Sequence, residues 1–265
     1  MAARAPEAKA AALSAPATPA TTAGELAAAE VLRPLTYGEG PKVGILGDTG
    51  TGKTTAMVEL VRLYLRMSPG MVFVVDDKEL RPRFEGQERR DVADLHEHPP
   101  DPNGSRVIVL RGVPSEGIDA NPEEVAALCW RRVARGRASL MVNDELVAGR
   151  EKYIKNRQWR RGVVYMPRNF TKGRVVQIAD IWGAQSPQDV PIEPFEQSNG
   201  ILCFKLGGLG LEKLRERNYL DGGAAEVIPR LPGMDAPPNA RGHFVLLRRG
   251  QPWDRRVYRF TKGGG

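Results

Sequence analysis

Only two cysteines and three histidines occur among the 265 residues. Cys129 and Cys203 lie far apart inside apolar segments, at no metal-ligand spacing, which argues against a disulfide framework or a thiolate centre. Two reduced thiols in a core fit that pattern, together with a cytoplasmic setting. His96 and His98 sit in a Pro- and Asp-rich stretch with no second ligand cluster, so they read as a solvated loop; His243, alone in a strand, reads as structural. No apolar run approaches the length of a membrane span, and the first residues lack the basic-then-apolar layout of a secretory signal. Glu7 and Glu25 argue against an organelle-targeting peptide.

What is present is a globular composition, 41% hydrophobic, with a formal net charge of +7. A chain of this length can bury one large core. Residues 1–28 are dominated by Ala, Pro, Ser and Thr without an apolar period and read as a flexible arm. Residues 29–262 then form a single domain, with 263–265 a disordered tail. Val31–Tyr37 reads as an edge segment broken by Gly38 and Gly40.

The stretch Gly47, Asp48, Thr49, Gly50, Thr51, Gly52, Lys53, Thr54 fits the phosphate-binding pattern G-x-x-x-x-G-K-[ST] without a mismatch. Its surroundings fit as well, since residues 42–47 read as a short apolar strand and 54–66 as a helix, the order the motif requires. The glycines let backbone N–H groups turn toward an anion at the positive end of the helix. Lys53 is expected at the outer phosphates, the Thr54 hydroxyl on Mg²⁺, and Thr55 near the inner phosphate of bound ATP.

Residues 71–77 and 106–110 read as further buried parallel strands. Asn121, Pro122, Glu123 and Glu124 give a helix start, with an N-cap, a first-turn proline and acids near the positive end. Residues 139–146 form an apolar strand ending in Asp144 and Glu145. An acid at that position suits the metal shell, and a following glutamate suits the base that polarises the attacking water. Asp76 and Asp77 also end an apolar strand and are the competing pair.

Between Arg150 and Arg174 lie nine basic residues and one acid, more positive charge than the whole chain carries net. Tyr153, Trp159, Tyr165 and Phe170 are interleaved with Arg150, Lys152, Lys155, Arg157, Arg160 and Arg161, the pattern expected for phosphate neutralisation plus contact with sugars or bases of DNA. Downstream, residues 174–182 re-enter the core and lead to Gln185, a polar group placed to contact a γ-phosphate or its attacking water. Residues 201–206 read as a strand, 211–217 as a short helix, and 242–247 with 256–260 as a closing hairpin.

The order GDTGTGKT, LMVNDE, Gly173-Arg174 leading into IWGAQSPQDVP, ILCFKL and GHFVLL resembles the FtsK–HerA superfamily of DNA-pumping ATPases over roughly residues 40–250. The resemblance implies an α/β, RecA-like P-loop NTPase with a mainly parallel sheet flanked by helices. It also implies a homo-oligomer, six subunits in a ring around double-stranded DNA, with an arginine finger donated across each interface. Arg174 matches the Gly-Arg position, with Arg161 and Arg168 as rivals. The chain departs from the pattern at Ala184, where the family usually has Thr before the sensor Gln. Small members without membrane segments most resemble genome-packaging ATPases of tailless, internal-membrane viruses, which implies a capsid or portal-vertex partner and a place in host cytoplasm or at a virion vertex. A filamentous-phage type of assembly or secretion ATPase, which would not pump DNA, is the alternative.

Overall fold

The computed structural model describes residues 20–76, 84–116, 118, 120–146 and 153–260. Arg150, Lys152, Asp77, residues 1–19 and the 263–265 tail lie outside them.

The frame is a nine-stranded sheet. Its strands are β1 (Lys42–Leu46), β2 (Met71–Val75), β3 (Gln87–Arg89), β4 (Val107–Leu110), β5 (Ser139–Asn143), β8 (Ile178–Ala184), β9 (Gly200–Cys203), β10 (His243–Leu247) and β11 (Tyr258–Arg259). They lie side by side in the order β11-β10-β9-β1-β8-β5-β2-β4-β3. The pairs from β9 through to β3 are parallel, whereas β10 joins β9, and β11 joins β10, antiparallel. Every residue of β1, β4, β5, β8 and β9 is buried, as expected when helices cover both faces of a parallel sheet.

One face is covered by α1 (Ala20–Leu32) and α2 (Lys53–Met67), which pack Ala27, Val31, Met57, Leu60 and Tyr64 against the strand residues on that side. The other carries α4 (Pro122–Val133), α5 (Tyr165–Lys172), α6 (Ile192–Gln197), α7 (Gly208–Glu216) and α8 (Gly222–Val227) over Phe73, Met141 and Trp182. A short α3 (Val92–Glu97) stands beside β3, and a two-stranded ribbon, β6 (Ile154–Lys155) with β7 (Gln158–Trp159), stands apart from the sheet.

The sequence reading needs correction at the start of the described chain and near His96. Residues 20–28, placed by composition in an arm, belong to α1 with Ala27 and Ala28 buried. Val31–Tyr37 is the end of that helix and a 3-10 turn, not an extended edge. Alanine has the highest helix propensity, and a ridge of small side chains suits close packing, so an Ala-rich stretch beside a sheet folds as helix. His96 lies in α3 and His98 caps it, its Nδ1 2.8 Å from Asp94 Oδ1. Both thiols are buried as expected, and desolvation pushes Cys129 up to about 12 and raises Cys203 further, leaving both unreactive.

Candidate nucleotide site and basic hairpin

In a parallel sheet every strand ends at the same edge, and the loops after β1, β5 and β8 therefore converge. Gly47–Gly52 runs from β1 into α2, with the positive backbone angles of Gly50 (φ 74°) and Gly52 (φ 109°) making the tight reversal. A Cβ on Gly52 would sit 2.9 Å from Gly242 Cα, so glycine is required there by space as well as by angle. The loop is buttressed by Asp48 N donating to Lys205 O (2.8 Å), Gly242 N to Thr51 O (3.1 Å) and Thr51 Oγ1 to Asp48 O (2.8 Å). Asp48, Thr49, Gly50 and Thr55 are exposed, whereas Lys53 is largely buried and donates to the carbonyls of Gly47 (2.7 Å) and Asp48 (2.9 Å).

Asp144 and Asp76, the first acids of the two competing pairs, have different surroundings, and Asp77 lies outside the described residues. Thr54 Oγ1 donates to Asp144 Oδ1 at 2.9 Å, and both side chains are buried. Two hard oxygen donors this close, beside an anion cradle, suit Mg²⁺, which takes few protein ligands and completes its shell with phosphate and water. No group of three or more His, Cys, Asp or Glu side chains that could hold a metal occurs among the described residues. Asp76 instead pairs with Arg111 (3.2 Å), which also holds Glu88 (2.8 Å). The β2–β4 pairing brings that arginine alongside, and the short-range sequence could not reveal it.

Glu145 and Gln185 meet at the same edge. Gln185 donates twice to the Glu145 carboxylate, from its backbone N to Oε1 and from Nε2 to Oε2, both at 3.1 Å. Thr49 Oγ1 donates to Gln185 Oε1 at 2.6 Å, which fixes the amide so that its NH₂ faces Glu145. A chain of hydrogen bonds thus runs from the phosphate loop through Gln185 to the carboxylate, and the Thr49 link is a contact that motif reading missed. Ala184, where the resemblance expects Thr, is the last strand residue and fully buried.

Arg174 is elsewhere. Its backbone carbonyl accepts from Gly40 N, just before β1, and its Nε donates to Glu39 at 2.7 Å. It therefore sits at the N-terminal edge of the sheet, the full length of β8 away from the phosphate loop of its own chain.

The basic strip divides into ribbon and helix. In the ribbon, Ile154 pairs with Trp159 and Lys155 with Gln158 across a two-residue turn in which Asn156 (φ 50°) and Arg157 (φ 65°) are left-handed, the geometry that matches the twist of a hairpin. Lys155, Arg157, Arg160 and Arg161 are exposed on it. Three of the interleaved aromatics, Tyr153, Trp159 and Phe170, are engaged in packing, which corrects the sequence reading for them. Tyr153 and Phe170 are buried, and Trp159 stacks on Phe170 at 6.3 Å while its Nε1 donates to Glu193 (3.1 Å). Only Tyr165 of the four is exposed. Glu123 is a second contact that the sequence did not reveal. Its carboxylate accepts from the N–H groups of Val164 and Tyr165 (2.7 Å each) and Met166 (2.8 Å), so an acid at the start of α4 caps α5.

No family model matches this sequence, and no curated protein does. Solved structures do match the fold. The genome packaging NTPase B204 from Sulfolobus turreted icosahedral virus 2, in complex with sulfate, superposes with a TM-score of 0.60 at 12% identity, over 84% of this chain and 98% of that one. The same protein has been solved with ATP-gammaS and with AMPPCP. B204, the DNA-packaging ATPase from Sulfolobus Turreted Icosahedral Virus, gives 0.54 at 14% identity over 83% and 97%. ATPases 2 and 3 of Thermomonospora curvata EccC, with a signal sequence peptide, give 0.50 at 14% identity, over 83% of this chain and 37% of that one. Together with the strand order and the loop geometry, these likenesses establish the fold as a RecA-like P-loop NTPase with a mainly parallel central sheet flanked by helices.

Proposed function

We propose that this protein is an ATP-hydrolysing motor that translocates double-stranded DNA and packages a viral genome into a capsid. The observation that carries the reading is the convergence of Thr54 with Asp144, and of Thr49 and Gln185 with Glu145, at the edge where the phosphate loop opens. In this reading Gly47, Asp48, Thr49, Gly50, Thr51, Gly52, Lys53, Thr54 and Thr55 hold the triphosphate of ATP. Lys53 moves from the loop carbonyls to the outer phosphates, where an ammonium stabilises the charge that develops on transfer. Thr54 and Asp144 would hold Mg²⁺, which when bound would supply positive charge to offset that of the triphosphate. Glu145 takes a proton as water attacks the γ-phosphorus; the bond to the β-phosphate oxygen breaks, leaving ADP and phosphate.

Gln185 occupies both oxygens of Glu145, so the base acts once the amide lets one of them go. That ties turnover to whatever moves Thr49 or Gln185, the γ-phosphate first of all. Arg174 lies on the far edge from its own phosphates, which suits a finger donated to a neighbouring subunit in a hexameric ring. Lys155, Arg157, Arg160 and Arg161 on the ribbon, with Arg150 and Lys152 preceding it, meet DNA phosphates. Similarity of fold to structures of viral packaging ATPases supports the packaging role, and a capsid or portal-vertex protein is the further partner this implies.

The test is steady-state ATP hydrolysis with and without duplex DNA at two salt concentrations, with Lys53→Ala as blank. Stimulation by DNA that fades with salt is expected. Turnover indifferent to DNA contradicts the motor reading and favours an assembly or secretion ATPase.

A further inference from the structure

Helices α4 and α5 pack side by side with their N-termini joined through Glu123, so both run toward the N-terminal edge of the sheet. Their ends stay together there, because Ser139 N, at the start of β5, donates to Gln177 O just before β8 (3.2 Å). Arg131 lies in the last turn of α4, and Arg135 and Arg137 follow it, while Lys172 ends α5. All four side chains are exposed, and none makes an ion pair with a described residue. Arg137 adds like-charge pressure on Arg132, whose guanidinium is held over Phe73.

One or two cations are enough to complement the negative ends of two helices. The others crowd positive charge with no ion-pair partner among the described residues. Between this cluster and the ribbon lies Arg168, exposed, its guanidinium 4.1 Å over the Trp130 ring of α4. The acids at the other ends of these helices and on α6 are engaged: Glu123 by three backbone donors, Glu124 by Asn121 and Glu193 by Trp159. The ribbon is pinned to α5 through Trp159 and Phe170, on the face of the sheet that carries α4 and α5.

We propose that Arg131, Arg135, Arg137 and Lys172 form a second duplex-DNA surface, and that Arg168 joins it to the ribbon as one basic track down α5. The helix contributes about 12 Å of rise, and duplex DNA presents a phosphate every ~1.7 Å of axis, so ribbon and helix ends reach different phosphates of one duplex. Arginine's planar fork suits those oxygens. A track along α5 gives one duplex two sets of contacts on the same face of the domain. The inference rests on the DNA-motor reading above.

The experiment measures binding of a fluorescent 30-base-pair duplex by the full chain across a salt series. Wild type is compared with Arg131→Gln/Arg135→Gln/Arg137→Gln and with a ribbon triple, Lys155→Gln/Arg157→Gln/Arg160→Gln. Thermal melting and far-UV circular dichroism show that each variant is folded. The expected result is that both triples weaken binding and lower the slope of log K against log salt, by about 0.9 for each phosphate no longer neutralised. If the ribbon triple lowers the slope and the α4 triple leaves slope and affinity at wild-type values, the second surface is refuted while the DNA reading stands. If wild type binds no duplex at any salt, both fall.

Discussion

At the scale of single residues, the site depends on which polar groups share an edge. Substituting Glu145→Gln should leave ATP binding intact and reduce turnover by at least about 100-fold, the low end of what a general base contributes. Retained turnover would move the base elsewhere. Thr49→Val removes the hydroxyl that aims Gln185, and loss of one such bond predicts a fall in kcat of about fivefold with little change in KM. Thr49→Ser should restore it. The phosphate loop was legible because its chemistry is local, eight residues long and dictated by glycine angles. The sequence left Asp144 and Asp76 as competing acids, since the Arg111 that pairs with Asp76 lies 35 residues on, just after β4. Sequence reading placed Gln185 near the phosphate, but its hold on Glu145 depends on β5 and β8 being neighbours.

At the scale of elements, side chains remote in sequence decide where α5 and the ribbon stand. No side chain of α5's own N-cap residue bonds its free N–H groups, and Glu123 does so from α4. Glu123→Ala should cost about 1–3 kcal/mol in denaturant unfolding, because three backbone donors are deprived of a charged acceptor; an unchanged midpoint would refute the cap. Its acidic position suggested interaction with its own helix, and no local pattern shows which helix an acid caps. Asp221 behaves more locally, accepting from Ala224 N (2.8 Å) at the start of α8 and from Trp253 N (2.7 Å). Those backbone donors hold its carboxyl below the usual aspartate range. The carboxylate therefore stabilises the fold fully above the ordinary aspartate pKa, and that contribution is lost as pH falls through the lowered folded value. Asp221→Ala should cost about 1 kcal/mol at neutral pH, and the gap to wild type should close in acid. A gap independent of pH would assign the effect to packing. Tyr153, Trp159 and Phe170 in the basic strip were misread because spacing alone does not say which way a ring faces. Trp159 and Phe170 stack on each other and fix the ribbon instead.

At the scale of the molecule, the strand succession was readable from apolar runs and turn residues, whereas the neighbour order was implied only by the resemblance. The fold also buries a complete ion pair, Lys42 with Asp180, with Asn169 and the carbonyl of Ile178 (2.6 Å from Lys42 Nζ) around it. Desolvation lowers the lysine pKa and raises that of the aspartate, each partly offset by the other. Removing one partner alone, as in Lys42→Met, should destabilise by about 3–5 kcal/mol, while Lys42→Met/Asp180→Leu should recover most of that. Lack of recovery would mean that the pair positions β1 against β8 beyond its charge. That registry matters because β1 and β8 deliver the phosphate loop and Gln185 to one edge.

The central claim is movement along DNA driven by this site, and displacement of a triplex-forming strand from a duplex measures it directly. Wild type with ATP should release the third strand, and Glu145→Gln should bind the same DNA and release none. ATP turnover without any displacement, at the same rate with and without duplex, would contradict the account.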